Sequence, residues 1–238
     1  MADNLLLDRD LLRRYDVTGP RYTSYPTAAQ FTEAFDEQRY HQRVAWSNED
    51  PMPRPLSLYV HVPFCRTVCF YCACNKVITA NYRRAERYLE RLIQELDLQA
   101  ALFDDDRPVE QLHLGGGTPT YYTDEDLARL INAIAERFPL ADPDIREFSI
   151  EVDPRTVDRD RVRRLAGLGF NRLSLGVQDF DPDVQRAINR IQGVEDTAAV
   201  VDEARRQGFR SVNLDLMYGL PQQTPERLAR TLDAVLDI

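Results

Sequence analysis

One stretch of eighteen residues carries most of the information about the fold of this 238-residue chain. Residues 57–74 read SLYVHVPFCRTVCFYCAC, in which a β-rich run stops at Pro63 and leads directly into a cysteine-rich loop. All four cysteines of the chain lie in this loop, at positions 65, 69, 72 and 74. Disulfides between cysteines so close in sequence would close loops too small to stabilise a fold, so the pattern favours a metal or redox site.

Outward from this stretch, strand-like and helix-like segments alternate five times. The predicted strands are 57–62, 109–114, 148–152, 172–177 and 211–217. The predicted helices are 82–102, 124–138, 159–166, 196–206 and 225–238. Such alternation predicts an α/β fold with a parallel sheet, either open or closing toward a barrel. Functional residues are then expected in the loops that follow the carboxyl ends of the strands.

The first 55 residues differ in character from the rest. A segment rich in turn formers and aromatic residues covers 19–26, and three prolines at 51, 53 and 55 mark a boundary. We therefore predict an irregular N-terminal arm over 1–55 and an α/β domain over 56–238. The last predicted helix reaches residue 238 without a glycine, proline or polar tail, so we expect the chain to be truncated at its C-terminus.

Composition restricts the possible functions. Hydrophobic residues make up 43% of the chain, which is enough to bury a globular core. The net charge of −9, from 39 acidic and 30 basic residues, argues against a protein whose main task is to coat nucleic acid. No apolar run approaches the roughly 18 residues of a membrane span, and the N-terminus lacks the pattern of a signal peptide. We expect a cytoplasmic protein.

The cysteine spacing, C-x-x-x-C-x-x-C, favours an iron–sulfur cluster over zinc. Structural zinc usually takes two pairs of ligands from separated segments, and no second pair exists in this sequence. Three thiolates on one loop suit three corners of a cubane and leave one iron free for an outside ligand. A zinc-stabilised interaction domain and a group of inert, buried cysteines remain the alternatives.

Other candidate residues follow the later predicted strands. Gly115–Gly117 would allow a ligand to touch the backbone and would expose N–H groups to a carboxylate, although a plain strand-to-helix turn is the alternative. Glu151 is either a surface carboxylate or an acceptor for an amine or ribose hydroxyl. Arg190 either caps a helix C-terminus or pairs with a carboxylate. Gln178 and Asp215 carry similar alternatives.

The three-cysteine motif directly after the first strand resembles the signature of the radical S-adenosylmethionine (SAM) superfamily. The resemblance implies a partial (βα) barrel of the radical SAM type, with five βα units present here. It also implies that Cys65, Cys69 and Cys72 bind a [4Fe-4S] cluster whose fourth iron binds the amine and carboxylate of SAM. An electron from the cluster then cleaves SAM to methionine and a 5′-deoxyadenosyl radical.

Seven segments together resemble one branch of this superfamily, the oxygen-independent coproporphyrinogen III oxidase (dehydrogenase) family. They are 19–27 GPRYTSYPT, 58–65 LYVHVPFC, 72–76 CACNK, 113–120 HLGGGTPT, 150–154 IEVDP, 176–180 GVQDF and 215–221 DLMYGLP. The resemblance implies an oxidoreductase of haem and porphyrin biosynthesis. It would convert two propionates of coproporphyrinogen III to vinyl groups, giving protoporphyrinogen IX and two CO2, after hydrogen abstraction from the propionate β-carbon. An unidentified electron donor and a monomeric state are also implied.

The same resemblance implies two bound SAM molecules. Tyr59, Gly116 and Glu151 would contact the cluster-bound SAM. The second SAM would be contacted by Tyr71, Cys74, Gly117, Thr118, Gln178, Arg190 and Asp215. Cys74 is therefore expected not to bind iron, because a fourth thiolate would saturate the cluster and leave no iron for SAM.

The N-terminal arm carries a weaker hypothesis. Arg21 and Tyr22 are predicted to fold over the active site, exclude solvent and help to place the substrate carboxylates. The alternative is an arm that packs away from the site.

A rival reading for the whole chain is the related haem-chaperone group, which shares the three-cysteine motif but binds haem without decarboxylating it. The Cys-Ala-Cys extension and the arm favour the enzyme. Family members continue into a sixth strand and a substrate-covering domain that this sequence lacks, so catalysis is inferred for the parent protein.

Overall fold

The structure, a computed structural model, describes residues 8–16 and 27–238. The chain divides into two compact units, residues 1–44 and residues 45–238. Arg21 and Tyr22, the predicted substrate contacts, lie outside the described residues.

Helices occur within the segment predicted as an irregular arm. Helix α1 (Arg9–Tyr15) begins where the Asp8 side chain accepts hydrogen bonds from the N–H groups of Asp10 and Leu11, at 2.9 and 3.0 Å. Helix α2 (Glu37–Asn48) begins similarly, because Asp36 accepts a hydrogen bond from the N–H of Arg39 at 3.0 Å. The prediction of irregular structure was therefore wrong for these two segments. Each helix depends on a single capping aspartate rather than on a strong apolar periodicity.

The remaining elements follow the predicted alternation. The strands are β1 (Leu56–Val62), β2 (Phe64–Cys65), β3 (Val77–Ile78), β4 (Val109–Gly116), β5 (Glu147–Val152), β6 (Arg172–Gln178) and β7 (Ser211–Leu216). The helices are α3 (Arg83–Ala100), α4 (Asp124–Arg137), α5 (Arg159–Gly167), α6 (Pro182–Ala187), α7 (Val194–Arg206) and α8 (Pro225–Leu236). Each predicted strand and helix is confirmed to within two residues at either end, whereas α6 replaces a predicted turn. No helix in the described ranges is long and apolar enough to cross a membrane.

Five of the strands form one parallel sheet in the order β1-β4-β5-β6-β7. Spatial order equals chain order, as in a (βα) barrel and unlike a doubly wound sheet, whose order reverses at a switch point. The predicted partial barrel is therefore confirmed. Because the strands are parallel, their carboxyl ends meet at one edge of the sheet.

The two faces of this sheet differ in chemistry. One face packs against the helices through buried residues such as Leu114, Ile150 and Leu175, which are inaccessible to solvent. Strand residues that alternate with these point to the opposite face. On that face the side chains are mainly polar: Tyr59, His61, His113, Ser149, Glu151, Ser174, Asn213 and Asp215. A barrel interior filled only for stability would carry Val, Ile and Leu instead, so the polar face points to function.

Candidate active site

A cavity of about 770 Å³ lies at the carboxyl ends of the strands. It is lined by twelve of the thirteen residues predicted for cluster and SAM binding: Cys65, Cys69, Tyr71, Cys72, Cys74, Gly116, Gly117, Thr118, Glu151, Gln178, Arg190 and Asp215. The exception is Tyr59, which is 59% exposed on β1 and stacks on the ring of His113 at a centroid distance of 5.7 Å.

The cysteine loop is tied to the barrel at its base. Strands β2 and β3 pair in parallel, so that Phe64 lies opposite Val77 and the two ends of the loop meet. Inside the loop, Lys76 donates hydrogen bonds from Nζ to the carbonyl oxygens of Cys72 and Cys74, at 2.8 and 3.4 Å. The loop therefore has a defined shape before any ligand binds.

The tip of the loop is anchored to the segment that follows β6. Asn189 donates from its side-chain amide to the carbonyl oxygen of Val68 at 2.7 Å, and the N–H of Phe70 donates to the carbonyl of Ile188 at 3.1 Å. Asn189 adopts a left-handed backbone with φ of 57°, a conformation that asparagine tolerates better than most residues. Tyr71 packs against Ile188 and its buried neighbours, and this burial raises the pKa of its hydroxyl.

Two of the predicted ligand thiols have polar neighbours. The Sγ of Cys65 lies 3.4 Å from the Thr118 hydroxyl, and burial of this thiol raises its pKa. The Sγ of Cys69 lies 3.6 Å from Nη1 of Arg190 and 3.9 Å from Nη2 of Arg155. The predicted ligands Cys65, Cys69 and Cys72 are half-buried, whereas Cys74 is exposed.

The glycines after β4 are required for close backbone packing. A Cβ atom on Gly117 would lie 2.7 Å from the carbonyl carbon and oxygen of Pro63, and one on Gly116 would lie 2.5 Å from the His61 ring. Gly116 also has a φ of 112°, which side chains rarely allow. These residues bring the end of β4 against the start of the cysteine loop.

The expectation that this glycine segment exposes N–H groups to a ligand carboxylate was wrong for three consecutive residues. The N–H of Gly116 donates to Oε2 of Glu151 at 3.0 Å. The N–H groups of Gly117 and Thr118 donate to the carbonyls of Val62 and Phe64, at 2.8 and 2.9 Å. All three donors are used because the segment is stitched to the neighbouring strand and to the cysteine loop.

Glu151 is held by donors on two sides. Besides the Gly116 N–H, its Oε1 lies 3.2 Å from Nε2 of His113. Burial alone would raise the pKa of Glu151, but these hydrogen bonds outweigh burial and keep the pKa below its usual value. The carboxylate therefore stays ionised at neutral pH and faces the cavity.

A second polar chain runs along β1. Nε2 of His61 lies 2.9 Å from the carbonyl oxygen of Asn75, which can only accept, so this nitrogen carries the proton. The Nδ1 atom then accepts from the Tyr59 hydroxyl at 3.1 Å. The sequence prediction named neither His61 nor His113. Their alternation with buried valine and leucine residues is the signal that points both rings to the polar face of the sheet.

An ionic cluster not predicted from the sequence lies beside Cys69. Asp153 accepts from Arg155 through both carboxylate oxygens, with Nε to Oδ1 at 3.0 Å and Nη2 to Oδ2 at 2.7 Å. Its Oδ2 also accepts from Nη1 of Arg190 at 3.1 Å, so Arg190 pairs with a carboxylate, as one of its two alternatives proposed. Burial raises the pKa of Asp153, but the two arginines lower it further, to a net value below normal.

Gln178 and Asp215 enter the cavity from the last two strands. The pairing of β6 with β7 is irregular between Gly176 and Gln178, and Gln178 has a φ of 70°. Such a bulge turns a side chain away from its regular direction. Asp215 lies opposite Gly176 and accepts a hydrogen bond from the Ser174 hydroxyl at 2.9 Å.

The model of the radical SAM superfamily matches residues 59–235. This chain belongs to the radical SAM superfamily. Oxygen-independent coproporphyrinogen III oxidase of Pseudomonas aeruginosa is 49% identical over 236 residues, covering 99% of this chain and 51% of that protein. The protein of the same name from Escherichia coli is 50% identical over 232 residues, covering 97% and 49%. The chain thus spans about half the length of these relatives.

Solved structures agree on the fold. The E. coli coproporphyrinogen III oxidase HemN, described as a radical SAM enzyme, superposes with a TM-score of 0.86 at 48% identity, covering 95% of this chain and 49% of HemN. The radical SAM methyltransferase TsrM of Kitasatospora setae superposes with a TM-score of 0.51 at 16% identity, which shows a shared fold alone.

Membership of the superfamily implies a [4Fe-4S] cluster and SAM, and the donor set of this chain fits them. Among the described residues, no three His, Cys, Asp or Glu side chains form a group that could hold one metal ion. A cubane makes a different demand, because each thiolate binds its own iron. Three half-buried thiols on one anchored loop meet that demand, and the adjoining cavity has the volume of a small-molecule site.

Proposed function

We propose that this chain is the cluster- and SAM-binding part of an oxygen-independent coproporphyrinogen III oxidase. The whole enzyme would decarboxylate two propionates of coproporphyrinogen III oxidatively and yield protoporphyrinogen IX. The observation that carries this proposal is the convergence of three loop cysteines with Glu151 and the Gly116–Thr118 segment in one cavity. The high identity to relatives of that name supports the choice of substrate.

The chemistry supplied when cluster and SAM are bound is one-electron cleavage of SAM to a carbon radical that abstracts hydrogen. The chain provides the thiolates of Cys65, Cys69 and Cys72 as iron ligands. It keeps Cys74 outside that set: this thiol is exposed on the same loop, and a fourth thiolate would remove the vacancy that SAM needs.

Glu151 would orient the cluster-bound SAM. Its carboxylate is ionised and fixed by His113 and the Gly116 N–H, so it is ready to accept hydrogen bonds from an amine or a ribose hydroxyl. Gly116 lets the backbone lie close to such a ligand, while Tyr59 stands beside this site on the polar face of the sheet. Orientation by preformed contacts lowers the entropic cost of reaching a reactive geometry.

A second SAM is part of the proposal. The side chains assigned to it occupy the same cavity and come from three separate segments of the barrel: Tyr71 and Cys74 on the cysteine loop, Gly117 and Thr118 after β4, and Gln178, Arg190 and Asp215 from the last two strands. The bulge at Gln178 and the bond from Ser174 to Asp215 set the directions of two of these contacts. Equilibrium dialysis of the reconstituted protein with labelled SAM should saturate at two molecules per chain, and saturation at one would remove this part.

The cluster assignment is tested by a matched pair of cysteine variants of this chain. After anaerobic reconstitution, Cys74→Ser should keep the iron content and the brown charge-transfer absorbance of the wild type. Cys72→Ser should lose both, because it removes one of three ligands. Equal iron loss in the two variants would contradict the assignment, and a colourless, zinc-containing wild type would favour the interaction-domain alternative.

The reaction is tested on the full-length protein. With SAM, a one-electron reductant and coproporphyrinogen III, it should release two CO2 per molecule of protoporphyrinogen IX formed. Tight haem binding without that product would instead identify a haem chaperone. In the same assay, deleting residues 1–30 should reduce turnover if Arg21 and Tyr22 help to place substrate carboxylates, and unchanged turnover would refute that role.

A further inference from the structure

The ionic cluster beside Cys69 contains more positive than negative charge. Two guanidinium groups, from Arg155 and Arg190, share the single carboxylate of Asp153. The side chains are largely buried, with exposures of 24% for Arg155, 7% for Arg190 and 9% for Asp153. One positive charge therefore remains uncompensated where water is scarce.

A buried charge without a partner is costly, so a second anion is expected next to this group. Among the residues that the structure describes, no other carboxylate forms an ion pair with Arg155 or Arg190. Nε of Arg190 is also buried and has no hydrogen-bond partner in the same described ranges. The group that both guanidiniums do approach is the Sγ of Cys69, at 3.6 and 3.9 Å.

We propose that Arg155 is a positioning residue that, with Arg190, places positive charge on the Cys69 thiolate and raises the reduction potential of the cluster. The inference rests on the proposed cluster at the three loop cysteines. Cysteine binds iron as the thiolate, which supplies the missing negative charge. Reduction adds one more negative charge to the cluster, and nearby cations or N–H donors to sulfur stabilise the reduced form relative to the oxidised form.

The local sequence explains how Arg155 is held. Asp153 accepts a hydrogen bond from the backbone N–H of Arg155 at 3.1 Å, which closes a turn at Pro154–Thr156. The same carboxylate binds the Arg155 side chain through two oxygens, so the planar guanidinium is fixed in direction. Lysine would keep the charge but not this two-point contact.

The test is a potentiometric titration of the reconstituted cluster, followed by electron paramagnetic resonance, in four forms of the chain. The wild type is compared with Arg155→Gln, Arg155→Lys and the control Arg172→Gln. Arg172 donates to Glu147 at 2.7 Å and does not line the cavity, so the control also loses one arginine–carboxylate pair.

We expect the midpoint potential to become more negative in Arg155→Gln, to fall by less in Arg155→Lys, and to stay at the wild-type value in Arg172→Gln. A wild-type potential in Arg155→Gln, or an equal shift in Arg172→Gln, overturns the inference while the cluster assignment stands. If Arg155→Gln does not retain iron, Arg155→Lys decides: a lowered potential supports the inference and an unchanged one overturns it. A wild type that binds no cluster removes both the inference and the proposed function.

Discussion

The two ends of β5 and β6 each carry an arginine–carboxylate pair, but in different surroundings. At the amino ends, Arg172 and Glu147 lie 2.7 Å apart with side chains 38% and 40% exposed. After the carboxyl ends, Arg190 and Asp153 lie 3.1 Å apart and are almost fully buried. A solvated pair contributes about 0–1 kcal/mol, whereas a buried pair pays for the desolvation of both charges. The difference teaches that the buried pair is expected to serve the cavity rather than the stability of the fold.

The largest expected effect comes from removing one carboxylate at each end. Asp153→Asn leaves two guanidiniums without their anion and should lower the free energy of unfolding by about 3–5 kcal/mol. Glu147→Gln, the matched variant at the amino ends, should cost at most about 1 kcal/mol. Urea unfolding of the cluster-free chain measures both. Similar costs for the two variants would show that the ends do not differ in the way described.

Acid should weaken the first of these effects. The pKa of Asp153 is lowered in the folded chain, so its contribution is fully present above the unfolded value of about 3.9 and is lost as the pH falls through the lower folded value. The difference in unfolding free energy between wild type and Asp153→Asn should therefore be constant from pH 6 to about pH 4 and shrink below it. A difference that grows in acid would mean that Asp153 is not the stabilised anion.

A smaller contrast concerns glycines near the two ends of the sheet. Gly117→Ala forces a methyl group into the Pro63 carbonyl and should destabilise the chain by about 1–3 kcal/mol. Gly167→Ala, at the end of α5, meets no atom within 4 Å and should be neutral or stabilising by up to about 1 kcal/mol. Thermal unfolding of both variants is the measurement. A tolerated Gly117→Ala would show that β4 and the cysteine loop can separate.

The alternation of strands and helices was predictable because each segment buries one apolar face, which leaves a periodic pattern in the sequence. The placement of Cys65, Glu151 and Asp215 in one cavity followed as well, since carboxyl ends of parallel strands must meet. The short helix α6 was missed. Its six residues are too few for a periodicity, and it is capped by the Asp181 side chain, which accepts from the N–H of Asp183 at 3.0 Å.

The partners of the site were less predictable. The pairing of Asp153 with Arg190 joins residues 37 positions apart, and it depends on the route of the chain after β6 rather than on any local pattern. The use of the Gly116, Gly117 and Thr118 N–H groups was also hidden, because the sequence does not show how closely β4 approaches the cysteine loop. Contacts between distant segments are therefore where the structure adds most.

The central claim is that three loop thiolates leave one iron of the cluster open to SAM. Electron paramagnetic resonance of the anaerobically reconstituted, reduced chain tests it most directly, with Cys74→Ser as a second sample. Adding SAM should change the spectrum of the reduced cluster in both proteins. A fully metallated cluster whose spectrum is the same with and without SAM would contradict the account.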